Sequence, residues 1–261
     1  MKWFFEEDKT SGVITGHEHI RSDHKPTDKY ELPTNAMIFC LGKWDLVLNE
    51  LYRTNLILDK LPRFCGTSPV YQIEGVKDWC FLHGGVGSPV IADTIETLRA
   101  FGVKKLVLVG LAGGFGKDVN IGDIILPEKV LSEEGTSLHY GFENWTNIVS
   151  YDANALKRHL EKKYKVFTNP TITTDAVYRQ TFYKENLWRS YGCIAVDMEA
   201  SAFVNLCKFY DLEHSVVLRV SDKHPMNEDE PKWKFGAKMD YRREFLSSII
   251  EFFTKDGNVN V

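Results

Sequence analysis

Several stretches of this chain are apolar at almost every position: AMIFCL (36–41), WCFLH (79–83), LVLVGL (106–111), CIAV (193–196) and the VVLRV core of SVVLRVSD (215–222). A strand with one wet face alternates polar and apolar residues, so continuous runs imply strands covered on both faces. Helical spacing separates them. WDLVLNELYRTNLILDKL (44–61) reads as one long helix. Ser88-Pro89 supplies an N-cap and a first-turn proline to a helix that closes on Gly102. A charged helix is expected over about 152–163, one after CIAV through Tyr210, and a last one over about 236–254. GDIILP (122–127), VLSEE after it and pieces of 165–174 read as further strands. Strands alternating with helices give an α/β fold: a central, mostly parallel, twisted and partly barrel-like mixed sheet flanked by helices.

The length, 261 residues, accommodates one large domain, and we find no linker, repeat or low-complexity tract. Residues 1–34 are polar, carry His17, His19 and His24, and end near Pro33; they read as an N-terminal arm before a domain over 35–261. Thirty-two Lys and Arg against 36 Asp and Glu leave a formal net charge of −4, which attracts neither nucleic acid nor an anionic membrane. No run is long and apolar enough to span a bilayer, and acids directly after MKWFF make a poor signal peptide. The five cysteines are odd in number, form no CxxC and mostly sit in apolar runs; reduced thiols in the cytoplasm are the expectation. His17-Glu18-His19 has no distant partner at a metal-ligand spacing, so no metal is expected.

Open α/β sheets bind ligands beyond the carboxyl ends of their strands. Three such ends here carry unusual residues: Gly110 to Gly114, read as a glycine loop; Asp197-Met198-Glu199 after CIAV; and Ser221-Asp222 after VVLRV. Each taken alone admits a structural reading, as a tight turn, a helix cap and a cap again. Their occurrence together points to a pocket.

The order HGGVGSP, LVLVGLAGGF, VNIGDIILP, EEGTSLHY, TTDAVY, VDMEASA and VSD resembles the nucleoside phosphorylase family, which includes purine nucleoside and uridine phosphorylases and the related hydrolytic nucleosidases. The resemblance covers about residues 36–253. It implies cleavage of a nucleoside's N-glycosidic bond, with phosphate as co-substrate and no other cofactor. The transition state would have oxocarbenium character, as in glycoside cleavage. It also implies that Glu199 anchors the ribose hydroxyls with Met198 against the sugar, that Asp197 caps the next helix or stands behind Glu199, and that Asp222 serves the departing base with Lys223 beside it. Gly110, Leu111, Ala112 and Gly113 would line the nucleophile site, and Val177 and Tyr178 the base. An aspartate at 222 favours a purine, whereas EGTSLHY and TTDAVY resemble uridine-type members.

One departure from the family matters. Its phosphate-binding arginine and hydroxyl positions read Leu46, Leu108 and Leu111 here, and leucine cannot partner a desolvated anion. Gly42, Lys43, Arg63 and His24 are the candidate substitutes, the last two by resemblance reaching a neighbouring subunit's site; Arg179 and Arg219 lie near pocket segments. Water is the alternative nucleophile, with Asp45 or Glu50 as its base, and a non-catalytic nucleoside binder is the reading from another class. Relatives assemble as dimers, or as trimers of dimers, which implies a homo-oligomer.

Overall fold

The computed structural model describes residues 2–22, 31–150, 152–231, 233–236 and 240–254; His24 lies outside them. Helix α1 (Gly16–Arg21) is followed by β1 (Asn35–Cys40), α2 (Trp44–Leu51), β2 (Thr54–Leu58), β3 (Val70–Ile73), β4 (Trp79–His83) and α3 (Ser88–Ala100). Next come β5 (Lys105–Gly114), β6 (Ile124–Ile125), β7 (Lys129–Glu133), β8 (Trp145–Asn147), α4 (Ala153–Leu160), β9 (Val166–Phe167) and β10 (Thr171–Thr174). The chain continues through α5 (Phe182–Ser190), β11 (Ala195–Asp197), α6 (Ala200–Phe209), β12 (Glu213–Lys223), β13 (Lys234–Phe235) and α7 (Asp240–Thr254).

One mixed sheet joins all the described strands, with β2-β3-β4-β1-β5-β11-β10-β7-β8 as its main path and β12 also paired to β5. Its centre is parallel: β1 lies between β4 and β5, and β12 runs beside β5 in the same direction. Antiparallel pairs occur at the margins, as in β2–β3 and β7–β8, and where β11 meets the end of β5. Both faces are buried, as the unbroken apolar runs require. Ala36 and Ile38 of β1 and Leu106 and Leu108 of β5 enter the core under α3 and α6. Their alternates Met37, Phe39, Val107 and Val109 enter the opposite core, under α2 and α7. Side chains that alternate across a strand fill both layers.

Two expectations about local structure change. The single helix over 44–61 is instead α2, which stops at Leu51, followed by β2. Thr54 to Leu58 pair with β3 at the sheet margin, and that ladder outweighs an apolar spacing that also fits a helix. The glycine loop at 110–114 is the second half of a strand, since β5 continues to Gly114 and passes from β1 to β11. The N-terminal arm carries a helix with a capping box from Thr15 and Glu18, and α1 packs on α3. Glu18 is therefore engaged in that cap, and the His19 ring stacks on Phe64 at 4.1 Å.

Candidate active site

Strand β11 ends at Asp197 and α6 begins at Ala200, so Met198 and Glu199 occupy the corner between them. Asp197 Oδ2 accepts from the backbone N–H groups of Glu199 (3.1 Å) and Ala200 (2.6 Å), capping α6 from inside the strand. Its other oxygen accepts from the Thr173 hydroxyl at 2.6 Å, and Thr173 Oγ1 in turn accepts from the Ser201 N–H. Glu134 of the EEGTS stretch braces the same helix by accepting from the Ser201 hydroxyl at 2.9 Å. The corner cannot shift without breaking this network.

Glu199 is only 6% exposed, and its Oε1 accepts from the Gly87 N–H at 2.7 Å. Gly87 is the residue before α3 and has φ of +91°, a conformation that aims its N–H inward and that a side chain would resist. Ser88 is the first helical residue rather than the cap expected of it, and its hydroxyl donates to the Met198 carbonyl at 3.0 Å. The glycine run HGGVG is thus fastened to the Met198-Glu199 corner, which sequence spacing did not reveal. Burial raises the pKa values of both Glu199 and Asp197, and the charge of Asp197 adds to the rise at Glu199 while that of Glu134 adds to the rise at Asp197.

The second acid stands at the end of β12. A register shift between Val220 and Asp222 leaves Ser221 as an extra residue and sets Asp222 opposite Gly113. Asp222 Oδ1 accepts from the Ser221 hydroxyl at 2.5 Å. Its Oδ2 meets His224 Nε2 at 3.0 Å and accepts from Trp233 Nε1 at 2.6 Å. Burial alone would raise this carboxyl, but the hydrogen bonds from His224, Ser221 and Trp233 outweigh it and hold the pKa below its ordinary value. Lys223 turns away and donates to the carbonyls of Gly116 and Val119.

The expected phosphate and base contacts fare differently. Gly42 and Lys43 are exposed, with Lys43 in a left-handed conformation (φ +60°) before α2. Leu108 is fully buried in the core, Leu111 packs against the opposite core and Leu46 is exposed. Gly110 and Ala112 are buried strand positions, and Ala112's carbonyl faces the Ser221 hydroxyl at 3.4 Å. Arg63, expected by resemblance to reach phosphate or a neighbouring subunit's site, is bound within its own chain. It is 4% exposed and donates to the His83 carbonyl (3.1 Å) and Thr94 Oγ1 (2.8 Å), while its buried Nε has no hydrogen-bond partner among the described residues. Cys40 lies within electrostatic reach of both Arg63 and Glu199. Val177 and Tyr178, expected by resemblance to line the base, lie on the turn after β10 and are 44% and 100% exposed. Arg179 is exposed on that turn, Arg219 lies over the rings of Tyr164 and Phe245, and Glu50 pairs with Arg243 at the surface. His139 packs against Trp3, a structural role.

Comparison with known proteins identifies the class. Residues 66–253 match the family described as the phosphorylase superfamily, and the chain belongs to this nucleoside phosphorylase family. The matched region contains β3 to β12 and both acid clusters, while Gly42, Lys43, Leu46 and Arg63 precede it. Among relatives, a DeoD-type purine nucleoside phosphorylase of an Exiguobacterium species is 26% identical over 146 residues, 53% of this chain and 60% of that protein. Another from Clostridium novyi is 29% identical over 144 residues (53% and 61%). A guanosine phosphorylase of Halorubrum lacusprofundi is 25% identical over 138 residues (52% and 57%). The alignments thus span about three-fifths of the length of these curated relatives.

Proposed function

We propose that this chain cleaves the N-glycosidic bond of a purine nucleoside by phosphorolysis, giving free base and pentose 1-phosphate. The observation that carries the reading is Glu199: a buried carboxylate on a rigid corner, held by a backbone N–H and, among the described residues, by no ion pair. Burying an acid this way costs stability, and two ribose hydroxyls donating to it would supply the missing hydrogen bonds. Asp222, at the end of β12, faces the departing base in this reading. The names of the relatives support the purine and the phosphate.

Arg63 supports phosphate as nucleophile despite the leucines at 46, 108 and 111. A buried guanidinium with an unpartnered Nε, next to a loop of glycine N–H groups, suits an oxyanion. The protein requires no other cofactor in this reading, works in the cytoplasm and assembles as a homo-oligomer that covers the exposed apolar turn at Val177 and Tyr178. No helix among the described residues is long and apolar enough to cross a membrane.

Hydrolysis is the second reading, favoured by the same leucines and by Asp45, which lies near enough to His83 to act on its charge. The test is release of base from guanosine, inosine, adenosine and uridine, with and without phosphate. Phosphate-dependent release from purine nucleosides is expected. Equal release in phosphate-free buffer would replace phosphorolysis by hydrolysis, and nucleoside binding without release would make the chain a binding protein.

A further inference from the structure

The resting state of Asp222 raises a difficulty for base departure. A purine leaves most easily when it gains a proton, yet Asp222 is held ionised and has none to give. The indole N–H of Trp233 is a donor that keeps its proton. The third partner is different. His224 Nε2 lies 3.0 Å from Asp222 Oδ2, and its Nδ1 lies 2.6 Å from Glu185 Oε1 on α5. Glu185 Oε2 is 3.5 Å from Arg189, whose guanidinium also donates to the Phe115 carbonyl and to Asn186 Oδ1. A row of alternating charges therefore runs from the strand end to α5: Asp222, His224, Glu185, Arg189.

This row is built into the fold. The side chains of His224 and Glu185 are only 12% and 7% exposed. Gly113 makes room for the ring and for Asp222: a Cβ there would fall 2.5 Å from His224 Nε2 and 3.2 Å from Asp222 Oδ2. A ring facing a carboxylate at each nitrogen satisfies both only when both nitrogens carry hydrogen. Burial works against that charge, but the bonds to Asp222 and Glu185 prevail and hold the imidazole pKa up at about 9. The charged groups facing the ring are Asp222 from β12 and Glu185, backed by Arg189, from α5; β5 presents backbone at Gly113, and Lys223 is turned away.

We propose that His224 is a positioning residue for base departure, orienting Asp222 and holding the proton that Asp222 passes to the leaving base. This rests on the glycosidic cleavage proposed above. As the C1′–N9 bond breaks, its electron pair passes into the purine, and N7 takes a proton from the Asp222 carboxyl. That carboxyl receives its proton from His224 Nε2, the other ring proton stays directed at Glu185, and water returns a proton to the ring when the base leaves. The charge on the leaving group is neutralised as it develops, and Asp222 is a carboxylate again at the end.

The test compares guanosine with 7-methylguanosine, whose N7 is already alkylated and whose base departs without taking up a proton. With full-length protein and phosphate, His224→Gln should lower kcat on guanosine by roughly 10-fold to 100-fold, less than the ~10²–10⁴ of a general acid itself. On 7-methylguanosine the same variant should stay within about 3-fold of wild type, because no proton transfer is needed. KM should change little on either. The wild-type guanosine profile should fall as pH rises through the titration of His224, and the variant should lack that limb. Equal loss on both substrates, or no loss, overturns the proposal and leaves the cleavage reading intact. Wild-type protein that releases base from neither nucleoside overturns both. If His224→Gln does not fold by circular dichroism, Glu185→Gln replaces it and should move the falling limb to lower pH while sparing 7-methylguanosine; an unmoved limb counts against the relay.

Discussion

At the β11–α6 corner, Asp197 and Glu199 are buried against backbone N–H groups and one threonine hydroxyl. At the end of β12, Asp222 is buried against an imidazole and an indole. Burial dominates in the first cluster and raises both acids; specific partners dominate in the second and lower Asp222. The difference teaches that nearness to a strand end does not set an acid's role. The partners contributed by other elements do. An acid lacking a cation is left with capacity for a ligand's donors, whereas an acid already paired is suited to handling a proton.

The largest expected effect breaks the first cluster. Glu199→Gln keeps the shape but cannot ionise when the ribose hydroxyls donate to it, and two charge-assisted bonds at about 1.5–3 kcal/mol each predict a loss in kcat/KM of roughly 10²–10⁴. Base release followed by chromatography checks it; activity within about 3-fold of wild type would remove Glu199 from the ribose. Asp222→Asn comes next, expected to cost roughly 10²–10⁴ in kcat on purine nucleosides with little change in binding. A pure KM effect there would show that Asp222 only holds the base.

A smaller effect tests the packing behind the second cluster. Gly113→Ala places a methyl 2.5 Å from His224 Nε2, so strand or ring must move. About 1–3 kcal/mol of stability should be lost in urea unfolding, with the guanosine rate falling more than the 7-methylguanosine rate. An unchanged midpoint would mean that His224 has another place to go.

The smallest effect separates the clusters by pH. Glu199 is raised from its ordinary 4.5, so between that value and its raised one the native state keeps a proton that the unfolded chain releases. Stability then falls as pH rises, by at most about 1.4 kcal/mol per pH unit, and Glu199→Gln should flatten that limb. The raised His224 contributes stability that is present below its ordinary 6.5 and is lost as pH climbs through about 9. His224→Gln should remove the upper limb and leave the lower one. The lowered Asp222 acts at the other end, losing its contribution as pH falls through its native value. Thermal melts over pH 4–10 read the limbs of Glu199 and His224, that of Asp222 lying below this range, and a single limb lost in both variants would show that the clusters titrate together.

The strand ends were partly legible before the structure. The corner VDMEAS and the pair Ser221-Asp222 were read as strand ends and stand at the ends of β11 and β12, whereas the glycines 110–114, read as a loop, lie within β5. Legibility ended at partners. Nothing local to Asp222 announces Glu185, which lies 39 residues from His224, and nothing in HGGVG announces a bond to a carboxylate 112 residues away. Arg63 was expected by resemblance to reach a neighbouring subunit's site, and nothing near it in sequence announces that the His83 carbonyl at the end of β4 and Thr94 of α3 accept from it.

The sequence by itself determined the two-faced strands, the helices between them and the positions where acids meet strand ends. Those features depend on side-chain period and on neighbours a few residues apart. Tertiary structure alone decided that residues 54–58 join the sheet, that β5 continues through its glycines, and that Asp222 is paired with His224 while Glu199, among the described residues, has no ion pair. A buried acid's protonation depends on which donors come within about 3 Å of it, and the folded chain, not the local pattern, brings those donors there.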